Sequence, residues 1–417
     1  MARSGSYNYK LNRNEVFTEM LDIIGEYSPG ESLSNNDIDT CSKSLNPMIK
    51  SWQSRDYGLW LIKEVELILQ NDTISYNLGP TGTHCSLTSD LVKTELAADA
   101  ASAATSFTID STTGMSDNFD RDGIYTAGTP SASGAITLAG ALVSGSVATL
   151  TSQRKILIYS DGNDSGITFA IVGTDNLGVS VSESITGPNA TTVYSTEEYA
   201  TVTSITVSGA GTGNIEVGQV GDHVGIELDS GSMQWTNLGS ALSTTITPIT
   251  ALSGAAGTDN HVYVYTSKIQ RPLDIVECRR RNADDGDIPI WIISRTDYMD
   301  LSNKTNEGPV NSVWYDPQLD NGVLTTWLET DSVKDRLRMS VKYPVQDLDS
   351  STDDFDFPQE WLDALIWNGA VRIAPKFGRS VTQDVRIMAI QTLEEAKRWD
   401  REHVDIVAKP NLRGYRR

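Results

Sequence analysis

Lys155-Ile-Leu-Ile-Tyr159, then Ser160-Asp-Gly-Asn-Asp-Ser-Gly166, then Thr168-Phe-Ala-Ile-Val172: a run of branched and aromatic side chains, a cluster of small polar residues, and a second run. Such runs between Gly, Asn, Asp and Ser clusters read as strands joined by turns. The same texture extends outward from Leu87 to about Val264, where the chain is rich in Ser, Thr, Gly, Ala and Val. Strands are expected at residues 106–110, 155–159, 168–172, 179–185, 202–208, 224–228 and 261–265. Low-complexity disorder would share the composition but not the regular recurrence, so the reading is β-sandwich or barrel modules.

Farther out, residues 266–350 stay β-like with larger side chains, including Trp291, Trp314, Tyr315 and Trp327. On the other side, Val65, Leu67 and Leu69 alternate with polar residues, Asn71-Asp72 offers a turn, and Ile74, Tyr76 and Leu78 alternate again, which predicts a β-hairpin. Both ends are helical. Residues 14–26 carry Val16, Phe17, Met20, Leu21 and Ile24 at helical spacing behind Asn14 as N-cap, and Tyr27-Ser-Pro-Gly30 stops them. A second helix starts near Ser34 with Ile38, Cys41, Leu45, Met48, Ile49 and Trp52 on one stripe; Pro47 inside it removes a backbone donor and predicts a kink or break. Pro358 opens a third, with Trp361, Leu362, Leu365, Ile366, Ala370 and Ile373 inward and Pro375 and Gly378 ending it. Ser380-Val-Thr-Gln383 reads as a capping box before a last helix that turns Val385, Met388, Leu393, Ala396 and Trp399 inward. This order predicts an α+β fold: a helical core built from both chain ends with a large β insertion between them.

The 417 residues are enough for roughly two to four domains. The opening residues contain no apolar signal-peptide region, and no stretch is long and apolar enough for a transmembrane helix, so a soluble chain is expected. The net charge is −22, unevenly spread. Between Leu87 and Tyr265 there are four basic and eighteen acidic residues; from Leu365 to Arg417 there are eleven basic and six acidic. An acidic middle argues against coating DNA, because phosphate affinity needs clustered Lys and Arg. The basic tail after Val407 could touch nucleic acid, or dock on a protein partner through Leu412 and Tyr415 with its arginines on carboxylates; the overall charge favours docking.

Chemistry-bearing motifs are sparse. Cys41, Cys85 and Cys278 are too few and scattered for a disulfide framework or zinc ribbon, and His84, His223, His261 and His403 show no ligand or triad spacing. Gly209-Ala-Gly211-Thr-Gly213 superficially resembles a phosphate loop but runs on into a strand, not a helix, so it reads as a turn. Gly79-Pro-Thr-Gly82-Thr83 lacks the Walker ending and reads the same way. Asp161-Gly-Asn163-Asp164 and Asp284-Asp285-Gly-Asp287 offer oxygen ligands for calcium, against solvated turns. Trp291, Trp314 and Trp327 could line a sugar groove beside paired carboxylates, against ordinary core packing, which is the expectation. No cofactor and no metal site follow from these residues.

At the N-terminal end, Gly30-Glu-Ser-Leu33, Leu45-Asn-Pro-Met-Ile-Lys-Ser-Trp52, Leu59-Trp-Leu61 and Tyr76-Asn-Leu-Gly-Pro80 follow one another. Later come Ile269-Gln-Arg-Pro-Leu-Asp-Ile275 with Arg279-Arg-Arg281, then Ser294-Arg-Thr-Asp-Tyr298 to Lys304 with Gly308-Pro309, and Trp314-Tyr-Asp-Pro317. Phe357-Pro-Gln-Glu-Trp361 running to Ala370-Val-Arg-Ile-Ala-Pro-Lys-Phe-Gly378 is the most specific element. Together these resemble the head-to-tail adaptor proteins of short-tailed bacteriophages, also described as tail accessory factors or packaged-DNA stabilisation proteins. The stretch ending at Met115 would run naturally into Val220-Gly-Asp222, and the residues between, with 154–188 and 202–218, resemble an immunoglobulin-like β-sandwich of phage structural proteins.

The resemblance implies six segments: residues 1–58 and 356–407 as the two helical parts of an adaptor core, 59–117 and 222–355 as β segments, 118–221 as the inserted sandwich, and 408–417 as an extended basic tail. It implies a structural virion protein and no enzyme. Adaptors of this kind form a ring, usually of twelve copies, beneath the portal; they extend the DNA channel, help retain packaged DNA, and present a platform for tail nozzle or fibre proteins. DNA would pass without specific binding, and no membrane is involved. The expected place is the tail neck of the virion, assembled in the host cytoplasm. Lys409, Pro410, Asn411, Leu412, Arg413, Tyr415, Arg416 and Arg417 would carry the portal contact. The rival reading is a tail adhesin or receptor-binding protein with carbohydrate-binding β modules.

Overall fold

The computed structural model describes residues 9–27, 31–55, 58–330, 332–347 and 355–401. The chain divides into two compact units, one of Met1–Ile62 with Pro344–Arg417 and one of Lys63–Tyr343. Strands make up 37% of the protein and helices 20%. The expected α+β fold, a helical core with a large β insertion holding a nested sandwich, is therefore overturned: among the described residues five short helices stand against several sheets. The physical reason is where apolar side chains are buried. Of five buried clusters among the described residues, one is helical and four belong to the β unit, where small and branched residues add up to more core than the helices supply.

The helical unit is built from α1 (Arg13–Ile23), α2 (Asn35–Gln53), α4 (Leu362–Ile373) and α5 (Gln383–Trp399), α3 (Arg295–Asp300) being a short helix of the β unit. The cap of α1 is Asn12, not Asn14: its side chain accepts from the Glu15 amide while the Glu15 carboxylate accepts from the Asn12 amide, a full capping box. Ser34 caps α2 as expected. Pro47 does not break α2, which runs on to Gln53 because Cys41, Leu45, Met48, Ile49 and Trp52 bury both of its halves in one cluster. A 3-10 turn at Ala374–Phe377 closes α4 on Gly378, whose φ of +66° is the left-handed cap glycine favours. Thr382, not Ser380, caps α5. Its core side is as expected at Leu393 and Ala396 but not elsewhere: Ala389 and Thr392 are buried, whereas Met388 and Trp399 are exposed. Small residues there let α5 approach α4, and Asn368 Nδ2 donates to the Ala389 carbonyl at 2.9 Å.

In the β unit every expected strand of the central region falls on an observed one, but partners differ from local expectation. Ile62–Ile68 and Ser75–Leu78 do not form a hairpin. The first pairs with Cys85–Leu87 and sits in a five-stranded sheet with Asp274–Arg281, Arg336–Lys342 and Asp287–Pro289; the second pairs with Gly322–Trp327 in a four-stranded sheet. Alternation fixes which face is buried, not which strand lies alongside. These two sheets close on one core holding Val65, Tyr76, Cys85, Val313, Leu337 and Met339. Residues 120–219 form one continuous eight-stranded network, not the two separate sheets of an immunoglobulin-like sandwich. Its long strands, Val147–Ser160 and Thr192–Val207, shift register at bulges and so keep one hydrogen-bonded sheet around the core of Ile156, Phe169, Tyr199 and Ile205. A further four-stranded sheet pairs His223–Glu227 with Met233–Asn237 and His261–Tyr265, and the latter with Val92–Glu95.

Candidate functional site

The segments of the two chain ends that carry the adaptor-like pattern meet inside the helical unit. Trp52 at the end of α2, Trp60 of the 3-10 turn Leu59–Leu61, and Phe357 and Trp361 before α4 form one aromatic group. Trp361 lies 5.7 Å from Trp52 and 5.1 Å from Trp60, and Trp60 lies 5.5 Å from Phe357, all tilted. Such geometry adds to the burial of the rings. Trp60 Nε1 donates to the Asp356 carbonyl at 3.2 Å, fixing the strap before α4. Beside this group a pocket of about 240 Å³ opens, lined by Tyr9, Lys10, Leu11, Phe355, Phe357, Gln359 and Leu362. The eight tail residues expected to bind a portal, Lys409, Pro410, Asn411, Leu412, Arg413, Tyr415, Arg416 and Arg417, lie outside the described residues, as does His403.

The two loops read separately as a phosphate loop and a calcium loop turn out to be one device. Asp164 is buried and accepts from the amides of Thr212 (2.6 Å) and Gly213 (3.3 Å) and from the hydroxyls of Ser160 and Thr212. These hydrogen bonds outweigh its burial and hold its carboxyl below the usual range. Asp161 likewise accepts from the Asn214 amide at 2.6 Å. The carboxylate oxygens that might have held calcium pin the glycine turn instead, and Gly213 is needed because a side chain there would collide with Ser160 and Gly162. Gly79–Thr83 is a turn closed by Gly82 on Gly79 and Thr83 on Asn77. Asp287 receives Arg281 at 2.8 and 3.1 Å, and Asp285 receives Arg336. Among the described residues no group of three or more His, Cys, Asp or Glu is placed to hold a metal ion.

The three cysteines are buried and unpaired, and burial raises their thiols, Cys41 and Cys278 to about 12, so they stay protonated. Arg279, Arg280 and Arg281 are each matched, to Glu277, Asp335, and Glu66 with Asp287, so this basic run is no phosphate patch. The tryptophans depart from the expectation of core. Trp291 is 76% exposed, Trp314 and Trp327 are half-buried, and Trp314 stacks on Tyr298 of α3 (Arg295–Asp300) at 5.5 Å.

Two buried polar clusters gave no signal in the sequence. Arg154 is fully enclosed, donating to Ser152 Oγ (2.7 Å), the Val220 carbonyl (3.1 Å) and Asp222 (3.4 Å). Asp222 in turn accepts from Asn118 and Thr266. Nearby, His84 stacks flat on Trp235 at 4.0 Å and its Nδ1 meets the Tyr265 hydroxyl; buried His223 lies against Tyr265 at 4.9 Å. The Nε2 of His223 finds no hydrogen-bond partner among the described residues. Arg154 and Asp222 are 68 positions apart and His84 and Tyr265 are 181 apart, distances at which no local pattern speaks.

No family model matches the chain, and neither a curated protein nor a solved structure is recognisably similar to it.

Proposed function

We propose that the chain is a structural virion protein, a ring-forming head-to-tail adaptor that joins a portal to a tail, extends the DNA channel and helps retain packaged DNA, and that it is not an enzyme. The observation that carries this reading is convergence. Trp52, Trp60, Phe357 and Trp361 come from three segments of the adaptor-like pattern, the last two from its most specific one, and the N-terminal and C-terminal pairs pack in one core although some 300 positions apart. A pattern spread over distant segments that proves to be one packing unit is harder to reach by chance than a single motif. The acidic excess between Leu87 and Tyr265 is compatible with a wall along which DNA slides without counterion-releasing contacts. The proposed partners are the portal, tail nozzle or fibre proteins and further copies of the chain, usually twelve in such rings; the proposed place is the virion neck, after assembly in the host cytoplasm.

Negative-stain imaging of the purified chain mixed with the portal ring of its phage tests this. Twelve-fold density added beneath the portal is expected, and its loss on deleting the residues after Val407. A compact trimer that ignores the portal would overturn it and favour the tail-adhesin reading. One observation speaks for that alternative: Trp291 stands 76% exposed with Ile292 and Met299 also exposed, a surface on which a sugar ring could stack.

A further inference from the structure

The pocket beside the aromatic group is apolar within and polar around its mouth. Leu11, Phe355, Phe357 and Leu362 are buried or half-buried, whereas Tyr9, Lys10 and Gln359 are exposed. An engineered cavity of about 150 Å³ holds a benzene ring, so the 240 Å³ here has room for two aliphatic side chains. The end of α5 is close by. Asp400, the residue after that helix, accepts from the Gly58 amide at 2.6 Å. Two residues farther, the Trp60 ring lies 5.5 Å from that of Phe357, which lines the pocket. The chain that leaves α5 therefore sets out about one aromatic ring away from the opening.

That chain reads Glu402-His-Val404-Asp-Ile406-Val407 ahead of the basic residues 409–417. An extended chain advances about 3.3 Å per residue, which puts Val404 about 13 Å beyond Asp400, enough to pass one ring. In such a chain Val404 and Ile406 share one side and Asp405 takes the other. We propose that the pocket is the seat of this tail root: Val404 and Ile406 enter it against Leu11, Phe355 and Leu362, and residues 409–417 leave the helical unit from a fixed point. A tethered segment needs little intrinsic affinity, because its effective concentration is in the millimolar range. Charge does not select it: Lys10 lines the pocket and the exposed Asp356 and Glu360 adjoin it in sequence, so apolar contact decides the fit. The other terminal segment, Met1-Ala-Arg-Ser-Gly-Ser-Tyr-Asn8, has no apolar side chain larger than Ala2 between Met1 and Tyr7. The seat stands without the adaptor reading; that it aims residues 409–417 at a portal rests on that reading.

Cross-linking tests the seat in the full chain. Leu11→Cys combined with Ile406→Cys, oxidised with copper phenanthroline, should form its disulfide at least about tenfold faster than Leu11→Cys combined with Tyr415→Cys. The native Cys41, Cys85 and Cys278 are buried and unpaired and do not compete. Melting gives a second readout. A chain ending at Val407 should melt as the full chain does. A chain ending at Arg401, or the full chain with Val404→Asp and Ile406→Asp, should melt at least about 3 °C lower in the helical unit. Equal cross-linking from positions 406 and 415, or unchanged melting of the chain ending at Arg401, would overturn the seat. So would a fall in melting on Tyr7→Ser with none on the two aspartates, which would give the pocket to the N-terminal residues. Should the double aspartate variant unfold, the cross-link decides. The chain ending at Val407 keeps the seat and lacks the docking residues, so its failure to bind a portal leaves the seat standing, and loss of the seat leaves docking open.

Discussion

Arg154 and Asp222 meet wholly out of water, and each is held against its own preference. Burial lowers the Arg154 pKa and raises that of Asp222, and their attraction only partly offsets it. Arg154→Met would leave a buried carboxylate without its cation, a loss of about 3–5 kcal/mol, whereas Arg154→Met with Asp222→Leu should recover most of it. Urea unfolding of the three variants checks this; a single substitution costing less than about 1 kcal/mol would show the pair to be idle. The histidines give the chain a pH dependence. Burial holds His84 down at about 3 and His223 well below its ordinary 6.5. Folded rings that resist protons mean that the unfolded chain binds them first. The stability they contribute is therefore complete above about pH 6.5 and falls as pH drops toward 3, by at most about 1.4 kcal/mol per unit for each ring. Urea midpoints should stay level from pH 7.5 to about 6.5 and decline from there to pH 5, and His84→Phe, which keeps the stack on Trp235, should flatten that decline. An unaltered slope in that variant would exclude His84 as a source.

At the scale of elements, α2 carries an exposed proline in its middle. Pro47 leaves the Lys43 carbonyl without its helical donor and costs up to about 3 kcal/mol relative to alanine in a helix interior. Pro47→Ala should therefore raise the stability of the helical unit by about 1–3 kcal/mol, read as a higher melting temperature; a neutral or lower value would mean that the ring packs on a neighbour. Pro47 also shows what the sequence could convey. The stripe of Cys41, Leu45, Met48, Ile49 and Trp52 correctly marks one helix face, yet of the kink or break expected at Pro47 the break is absent, because packing on both sides outweighs one lost bond. Strands were legible for the same reason as the stripe: period and turn residues are local. Strand partners were not, since Val65 to Leu69 and Ile74 to Leu78 have the same alternation whether they pair with each other or with strands hundreds of residues away. On α5 the sequence marks Ala396 and Leu393 correctly as inward but misleads at Met388 and Trp399, because large apolar side chains suggest burial where the small Ala389 and Thr392 in fact face the core. At the candidate sites, Asp164 and Gly213 read as parts of two separate motifs in the sequence; only the fold brings the carboxylate onto the turn.

For the whole molecule the question is how many cooperative parts it has. Each unit encloses its own apolar clusters: Val16, Leu45, Trp361 and Leu365 with their neighbours in one, and those of the sheets in the other. A chain whose helical ends share a core must close that unit across the whole Lys63–Tyr343 segment, a loop whose entropy grows only logarithmically with length. The β unit has no such dependence, because both ends of its chain lie within its own sheets, in Ile62–Ile68 and Arg336–Lys342. Segment 63–343 expressed alone should therefore fold, and the full chain should melt in two steps. Trp361, fully buried against Trp52 and Trp60, separates them. Trp361→Ala removes a ring worth about 3–5 kcal/mol. It should lower one calorimetric transition by many degrees and leave the other where the isolated 63–343 segment melts. A single transition that moves as a whole would mean that the two cores are thermodynamically one, and that segment 63–343 cannot then be expected to fold by itself.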